Sequence, residues 1–366
     1  MGTVSYRDGR GFVNQKWLLE NADFPIKYIV TKDDSFIPPL LQNVEVKAWL
    51  ERLTDRAMCG DLSAMHGSHD YRYENIVGKC YILGLNAKIP QFDSAMRVFI
   101  DFLSENISDG NTAHVQDEKL TFGKVYRYRD YETVLACYLP FLGYAHEESV
   151  QYVANKRVNA IYEFTKQGRY DIYRSDYAYP GANKAWKPYI VDPELYKDGN
   201  IALPSIHDLI LFAGMYADFD SEAKGMVETI VRWLFGEGYA GINERLYYYA
   251  ADDPCYQSKA INSKVRLPDL RTISQADAAT RQALLYLCFV LSHFATAREW
   301  VLKAVLYFEQ YKTEMGRYIF PKEMIAEKKD CYVVNGGHMN VGEDKRNRNY
   351  AEIISTYWMD RIFANL

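Results

Sequence analysis

Long apolar segments recur at helical spacing along this 366-residue chain, and they are of two kinds. One kind opens on charged or polar residues and then runs almost wholly apolar or small: residues 70–85, 130–144, 205–217, 274–294 and 349–363. The other is one-sided: residues 92–102, 149–164, 223–235 and 298–311, with 46–53 as a shorter, earlier member. A helix that is apolar on most sides must be enclosed, whereas a one-sided helix can cover others. The alternation therefore predicts an all-α fold in which inner helices line a centre and outer helices wrap them. Glycine follows the one-sided segments, at Gly60, Gly110, Gly168, Gly238 and Gly316, where a left-handed stop is expected. These stops are about 50 to 80 residues apart, the length of a helical hairpin with a variable loop. Alternation at period two is nowhere sustained, so no sheet is expected.

Charge and composition exclude several functions. Lys plus Arg total 43 against 48 Asp plus Glu, a net charge of −5, which argues against a nucleic acid or an anionic membrane surface as partner. With 48% apolar and 25% charged residues the chain is not of the disordered class. No stretch approaches 18 uncharged apolar residues and the first 16 hold no apolar core of a leader, so no membrane span and a cytoplasmic location are expected. Cys80, Cys137 and Cys288 fall in apolar helical runs, where a free buried thiol is expected, and no CxxC pair supports a disulfide framework.

The runs ETVLACYLPFLGYAHEESVQYVANKRVNAIYEFTKQGRY and ALLYLCFVLSHFATAREWVLKAVLYFEQYKTEMGRYIFP each give an apolar helix, then a one-sided helix, then a glycine turn. In this they resemble one repeat of the prenyltransferase and squalene-cyclase α/α toroid group. The rhythm extends over residues 44–363. The resemblance implies a single α/α toroid domain over 44–366, with residues 1–43 an N-terminal extension packing on it. It also implies that the N-terminal ends of the inner helices face one mouth of a central cavity. The acidic motifs of that group do not carry over: the chain has Asp218-Phe219-Asp220 and Asp252-Asp253 but neither DxDD nor DDxxD. Asp253-Cys255 and Cys331 with His338 have zinc-ligand letters, but both lie in long loops and the second spacing is unlike a zinc finger, so neither a metal nor a cofactor is expected. No phosphate-binding glycine loop and no GxSxG elbow is present.

The inner-helix starts nonetheless concentrate ionisable groups. The first holds His66, His69, Asp70, Tyr71, Tyr73 and Glu74; the second Arg129, Asp130 and Glu132; later ones His207, Asp208, Asp277 and Arg281. A carboxylate beside an imidazole is an acid–base pair, so Asp70, His69, Glu74, Asp130 and Glu132 are the expected catalytic groups, with Asp70 the acid and His69 its orienting partner. The competing explanation is capping: Asp130, Ser205 and Ser274 at helix starts satisfy free N–H groups and the helix dipole. Tyrosine is the compositional oddity: eleven of 31 fall in two long connections, residues 170–203 and 239–272. Their aromatics either pin the loops or cover a cavity, and Tyr177, Trp186 and Tyr248 are expected to touch substrate together with His66, Tyr71, Tyr73, Arg129, His207, Asp208, Asp277 and Arg281.

Three functions fit: a terpene-cyclase- or prenyltransferase-like enzyme with an aromatic cavity, a carbohydrate-active toroid using paired carboxylates, or a non-catalytic binder. The partner expected in each is a small molecule.

Overall fold

Caps and prolines, more than the apolar runs, set where the helices of the computed structural model begin and end. The structure describes residues 12–60, 65–108, 132–175, 179–196, 201–249 and 258–366. In chain order the helices are α1 (Gln15–Asn21), α2 (Phe24–Thr31), α3 (Ile37–Leu40), α4 (Val44–Cys59), α5 (Tyr73–Ile82) and α6 (Pro90–Ser108). After them come α7, a short helical segment over 132–136, then α8 (Glu148–Thr165), α9 (Ile206–Met215) and α10 (Ser221–Leu234). The last three are α11 (Ala278–Leu291), α12 (Arg298–Phe308) and α13 (Tyr350–Asn365). The chain is thus predominantly helical, as its periodicity predicts. Helix α4 outruns the expected 46–53 because Asn43 caps its first N–H groups and Gly60, at φ 60°, stops it in the left-handed conformation. Two starts differ from expectation. Asp277, not Ser274, caps α11, accepting from the Thr280 N–H at 2.7 Å, while Ser274 sits in a preceding 3-10 turn. The expected helix over 130–144 is helical only at 132–136 among its described residues, because Pro140 cannot continue it and opens a 3-10 turn.

The chain divides into two compact units. The first takes the described residues of 1–98, 141–143 and 267–366, the second those of 99–140 and 144–266. In the first, α4 packs on α5, α11 on α12 and α13, and α1 on α2 and α13. All ten residues of α5 are buried, whereas α4 buries only Val46, Trp49, Leu53 and Arg56. The enclosed and one-sided characters read from sequence thus reappear as burial. Edge-to-face rings tie α11 to α13, with Phe289 and Trp358 centroids 5.8 Å apart. Residue Asn14, ahead of α1, donates its backbone N–H (2.8 Å) and side-chain amide (3.0 Å) to the Asp360 carboxylate of α13. Burial raises the pKa of that carboxylate to about 6 despite those hydrogen bonds.

In the second unit α8 packs against α9 and α10. Its tyrosine-rich connections correct the expectation of no sheet: β1 (Arg245–Tyr249) and β2 (Ser258–Ser263) form an antiparallel pair. A run such as RLYYY suits a strand because aromatic side chains pack well on a pleated surface. Tyr179, Ile190, Tyr247 and Tyr249 form a small core with Trp186 against it. The Tyr196 hydroxyl accepts the Tyr249 N–H at 2.9 Å and donates to the Tyr249 carbonyl at 3.3 Å. Tyr249 in turn donates to the Pro180 carbonyl at 2.9 Å. Among the described residues no helix is long and apolar enough to cross a membrane.

Candidate acid–base site

The loop ahead of α5 is shaped by one glycine. Gly67 has φ +145°, a conformation side chains resist, and a Cβ there would meet Arg72 Nε at 3.0 Å. Its N–H donates to Glu74 Oε1 at 2.7 Å, and its carbonyl accepts from the Asn75 amide at 2.9 Å. Asn75 also bonds the His69 carbonyl at 3.0 Å, so the loop is folded back over the first turn of α5. The same Glu74 oxygen lies 2.7 Å from His66 Nδ1, with Glu74 fully buried and the His66 side chain 40% exposed. A carboxylate accepts, so the proton of this contact belongs to Nδ1, leaving Nε2 as the basic nitrogen of the neutral ring. The Tyr332 ring stands 5.3 Å from the imidazole. Burial, reinforced by the Glu74 charge and partly offset by Arg72, holds the Tyr332 phenol above its usual range.

The expected Asp70–His69 pair does not form. His69 Nδ1 lies 3.2 Å from Asp330 Oδ1, and its ring stacks on the exposed Tyr71 at 5.3 Å. Asp70 accepts the Asp330 N–H at 2.8 Å and donates its own N–H to the Asp330 carboxylate at 3.3 Å, a reciprocal clamp between two loops. Arg52 approaches Asp70 at 3.7 Å and His338 Nε2 at 3.8 Å. Asp70 and His69 therefore do not pair with each other: each takes its partner at position 330.

Next to that clamp lies a buried ionic network that sequence reading missed. Lys79, in the middle of α5, is fully enclosed and reaches Glu45 at 2.8 Å, Glu327 at 2.9 Å and the Asn340 carbonyl at 2.6 Å. Burial opposes its charge, but the two carboxylates outweigh it and hold the ammonium above its ordinary range. Against the same cost of burial, Lys79 and then His338 hold Glu327 at about 2. His338 Nδ1 is 2.7 Å from Glu327, and Nε2 is 2.9 Å from the Cys331 carbonyl, so both ring nitrogens face acceptors. The imidazole of the Cys331/His338 near-match is thereby committed within the protein. A lysine inside the apolar run NIVGKCYILGL was the signal available for this network.

Tyr73 is buried at the start of α5. Glu132 pairs with Lys156 at 2.7 Å. Asp208 forms a capping box with Ser205 and receives Arg157 at 2.7 and 3.2 Å, beside a buried His207. Asp277 is a cap, its carboxyl held below the usual range by the Thr280 N–H, and Arg281 approaches Glu323 at 3.9 Å. Trp186 stacks on Tyr247 at 4.9 Å, and the buried Tyr248 meets Tyr196 edge-on at 4.9 Å. Arg129, Asp130, Tyr177, Asp253 and Cys255 lie outside the described residues. Of the expected groups, then, the structure brings together His66 and Glu74 as a buried carboxylate orienting a partly exposed imidazole.

Comparison of the chain with protein-family models, with curated proteins and with solved structures finds no match.

Proposed function

We propose that this chain is a small-molecule enzyme in which His66 transfers protons and Glu74 holds its ring. One observation carries the reading: a fully buried carboxylate lies 2.7 Å from Nδ1 of an imidazole whose side chain is 40% exposed. That arrangement fixes the tautomer and stabilises the cation that forms when Nε2 takes a proton. Polar neighbours favour a hydrophilic substrate, as in the carbohydrate-active reading, over an isoprenoid: the Tyr332 ring stands 5.3 Å from the imidazole, and Arg72 lies against Gly67, the next residue. The isoprenoid reading has the helical rhythm as its support. The same rhythm, enclosed helices alternating with one-sided ones, supports an α/α toroid plan.

Turnover of a panel of aryl glycosides, aryl phosphates, aryl esters and prenyl diphosphates tests the proposal. A polar member of the panel is turned over, His66→Gln lowers its kcat by about a hundredfold or more, and the melting temperature stays within a few degrees. Turnover that survives His66→Gln, or a prenyl diphosphate as the one substrate, overturns the reading.

A further inference from the structure

We propose that Arg72 is the recognition group for an oxyanion, a carboxylate or a phosphate, carried by the molecule on which His66 acts; this rests on the acid–base role given to His66. Arg72 precedes the first residue of α5 and makes no side-chain cap there. Its Nε is buried and has no hydrogen-bond partner, and among the described residues its guanidinium has no ion pair. The Tyr71 ring stands 5.1 Å from its Cζ, and its charge is felt by the Tyr332 phenol. Arg56 and Arg281 also hold a buried nitrogen that makes no hydrogen bond, but each guanidinium has a partner, the Tyr71 carbonyl at 2.9 Å for Arg56 and Glu323 at 3.9 Å for Arg281. Likewise Arg157 has Asp208, Arg317 has Glu352 and Arg361 has the hydroxyls of Tyr81 and Tyr357. A buried Nε left without an acceptor, on a guanidinium that is otherwise partly exposed, is a mismatch that a bidentate oxyanion resolves.

The position matters as much as the vacancy. Arg72 Nε and Cγ occupy the space where a Cβ on residue 67 would stand, at 3.0 and 3.3 Å, so the guanidinium lies against the residue that follows His66. Among the described residues the nearby carboxylates are committed elsewhere. Glu74 serves Gly67 and His66, while Asp70 and Asp330 serve each other and His69. Positive charge is thus retained beside the imidazole, in a protein whose net charge is −5. A substrate anion seated on the fork would bring its neighbouring atoms to Nε2 of His66. This is why the inference favours small anionic polar molecules over neutral sugars.

The test is titration of the full chain, labelled at histidine Cε1 and arginine Nε, with inorganic phosphate and separately with acetate at constant ionic strength. Either anion shifts the Arg72 Nε–H and His66 signals saturably. Arg72→Gln weakens the His66 response at least roughly tenfold, and Arg72→Lys falls between, because a point charge lacks the fork. His66→Gln leaves the Arg72 response in place. Response to phosphate alone assigns a phosphoryl group, and response to acetate alone a carboxylate. Unchanged binding in Arg72→Gln, with the buried His338 signal showing an intact fold, overturns the proposal, as does the absence of any saturable shift at Arg72. Loss of turnover in His66→Gln alongside unchanged anion binding in Arg72→Gln removes the arginine and keeps the dyad. The opposite pair of results removes the dyad and keeps the anion site.

Discussion

At the starts of α5 and α9 the chain places the same two residue types, a histidine and a carboxylate, and folds them into different chemistry. At α9 the carboxylate of Asp208 accepts the Ser205 N–H at 2.8 Å and the Arg157 fork at 2.7 and 3.2 Å, next to a His207 buried to 6% exposure. Arg157 is itself satisfied by the Ile201 carbonyl at 2.8 Å, so this cluster is closed. At α5 the cation offered to the buried Glu74 is an imidazole from the preceding loop, 40% exposed and held through Nδ1 at 2.7 Å. A guanidinium anchored on a neighbouring helix ends the hydrogen-bond chain inside the protein. An imidazole in a loop carries it to the surface.

Removing each carboxylate tests that contrast. Asp208→Ala strips a cap and leaves Arg157 buried without its partner, a loss of about 3 to 5 kcal/mol in urea unfolding. Glu74→Gln keeps the volume and an acceptor, and costs under about 2 kcal/mol. Equal losses in the two variants would break the comparison, because Glu74 would then be as structural as Asp208.

Acid sharpens it within the first unit, where two carboxylates act with opposite sign. Glu327 is held at about 2, below its ordinary 4.5. Its contribution to stability is therefore present above about 4.5 and is lost as pH falls toward 2. Asp360 is raised from 3.8 to about 6, so its contribution is fully present below about 3.8 and is lost as pH rises through 6. Urea midpoints from pH 3 to 7 show the difference: Glu327→Gln flattens the acid limb, and Asp360→Asn flattens the interval between about 4 and 6. Identical slopes in the two variants would show that neither carboxylate titrates as its surroundings dictate. The smallest effect belongs to an exposed cap: Asp277→Ala lowers the urea midpoint by less than either Asp208→Ala or Glu74→Gln does.

Periodicity made the helices legible, because burial on one side or on all sides must be written into an apolar pattern. Boundaries were less legible where a single residue decides them, as Pro140 does by ending α7. The strand pair was hidden because its alternation spans five residues, too few to stand out against tyrosines expected to pin loops. At the site, the cluster around His66 was visible as a local density of ionisable groups, but its pairing was not. Sequence proximity joined His69 to Asp70, and Asp330, 260 positions away along the chain, took both. The Lys79 network shares that property, since Glu327 and Asn340 come from distant loops. Arg72 is marked by a buried Nε that has no partner among the described residues, which no pattern of letters records.

Those distant partners also set an order of events during synthesis. Lys79 and its Glu327 partner are 248 positions apart, and Asn14 and Asp360 are 346 apart. Every residue of the second unit lies between Lys79 and Glu327 along the chain. At about 5 to 20 residues per second, Lys79 leaves the ribosome roughly 12 to 50 seconds before its second carboxylate exists. During that interval α5 is an apolar helix with a lone ammonium at its middle and only Glu45 to pair with, while the whole of the second unit is translated. Until Glu327 has been made the nascent first half lacks that partner, and truncations that end before residue 327 leave Lys79 without it permanently.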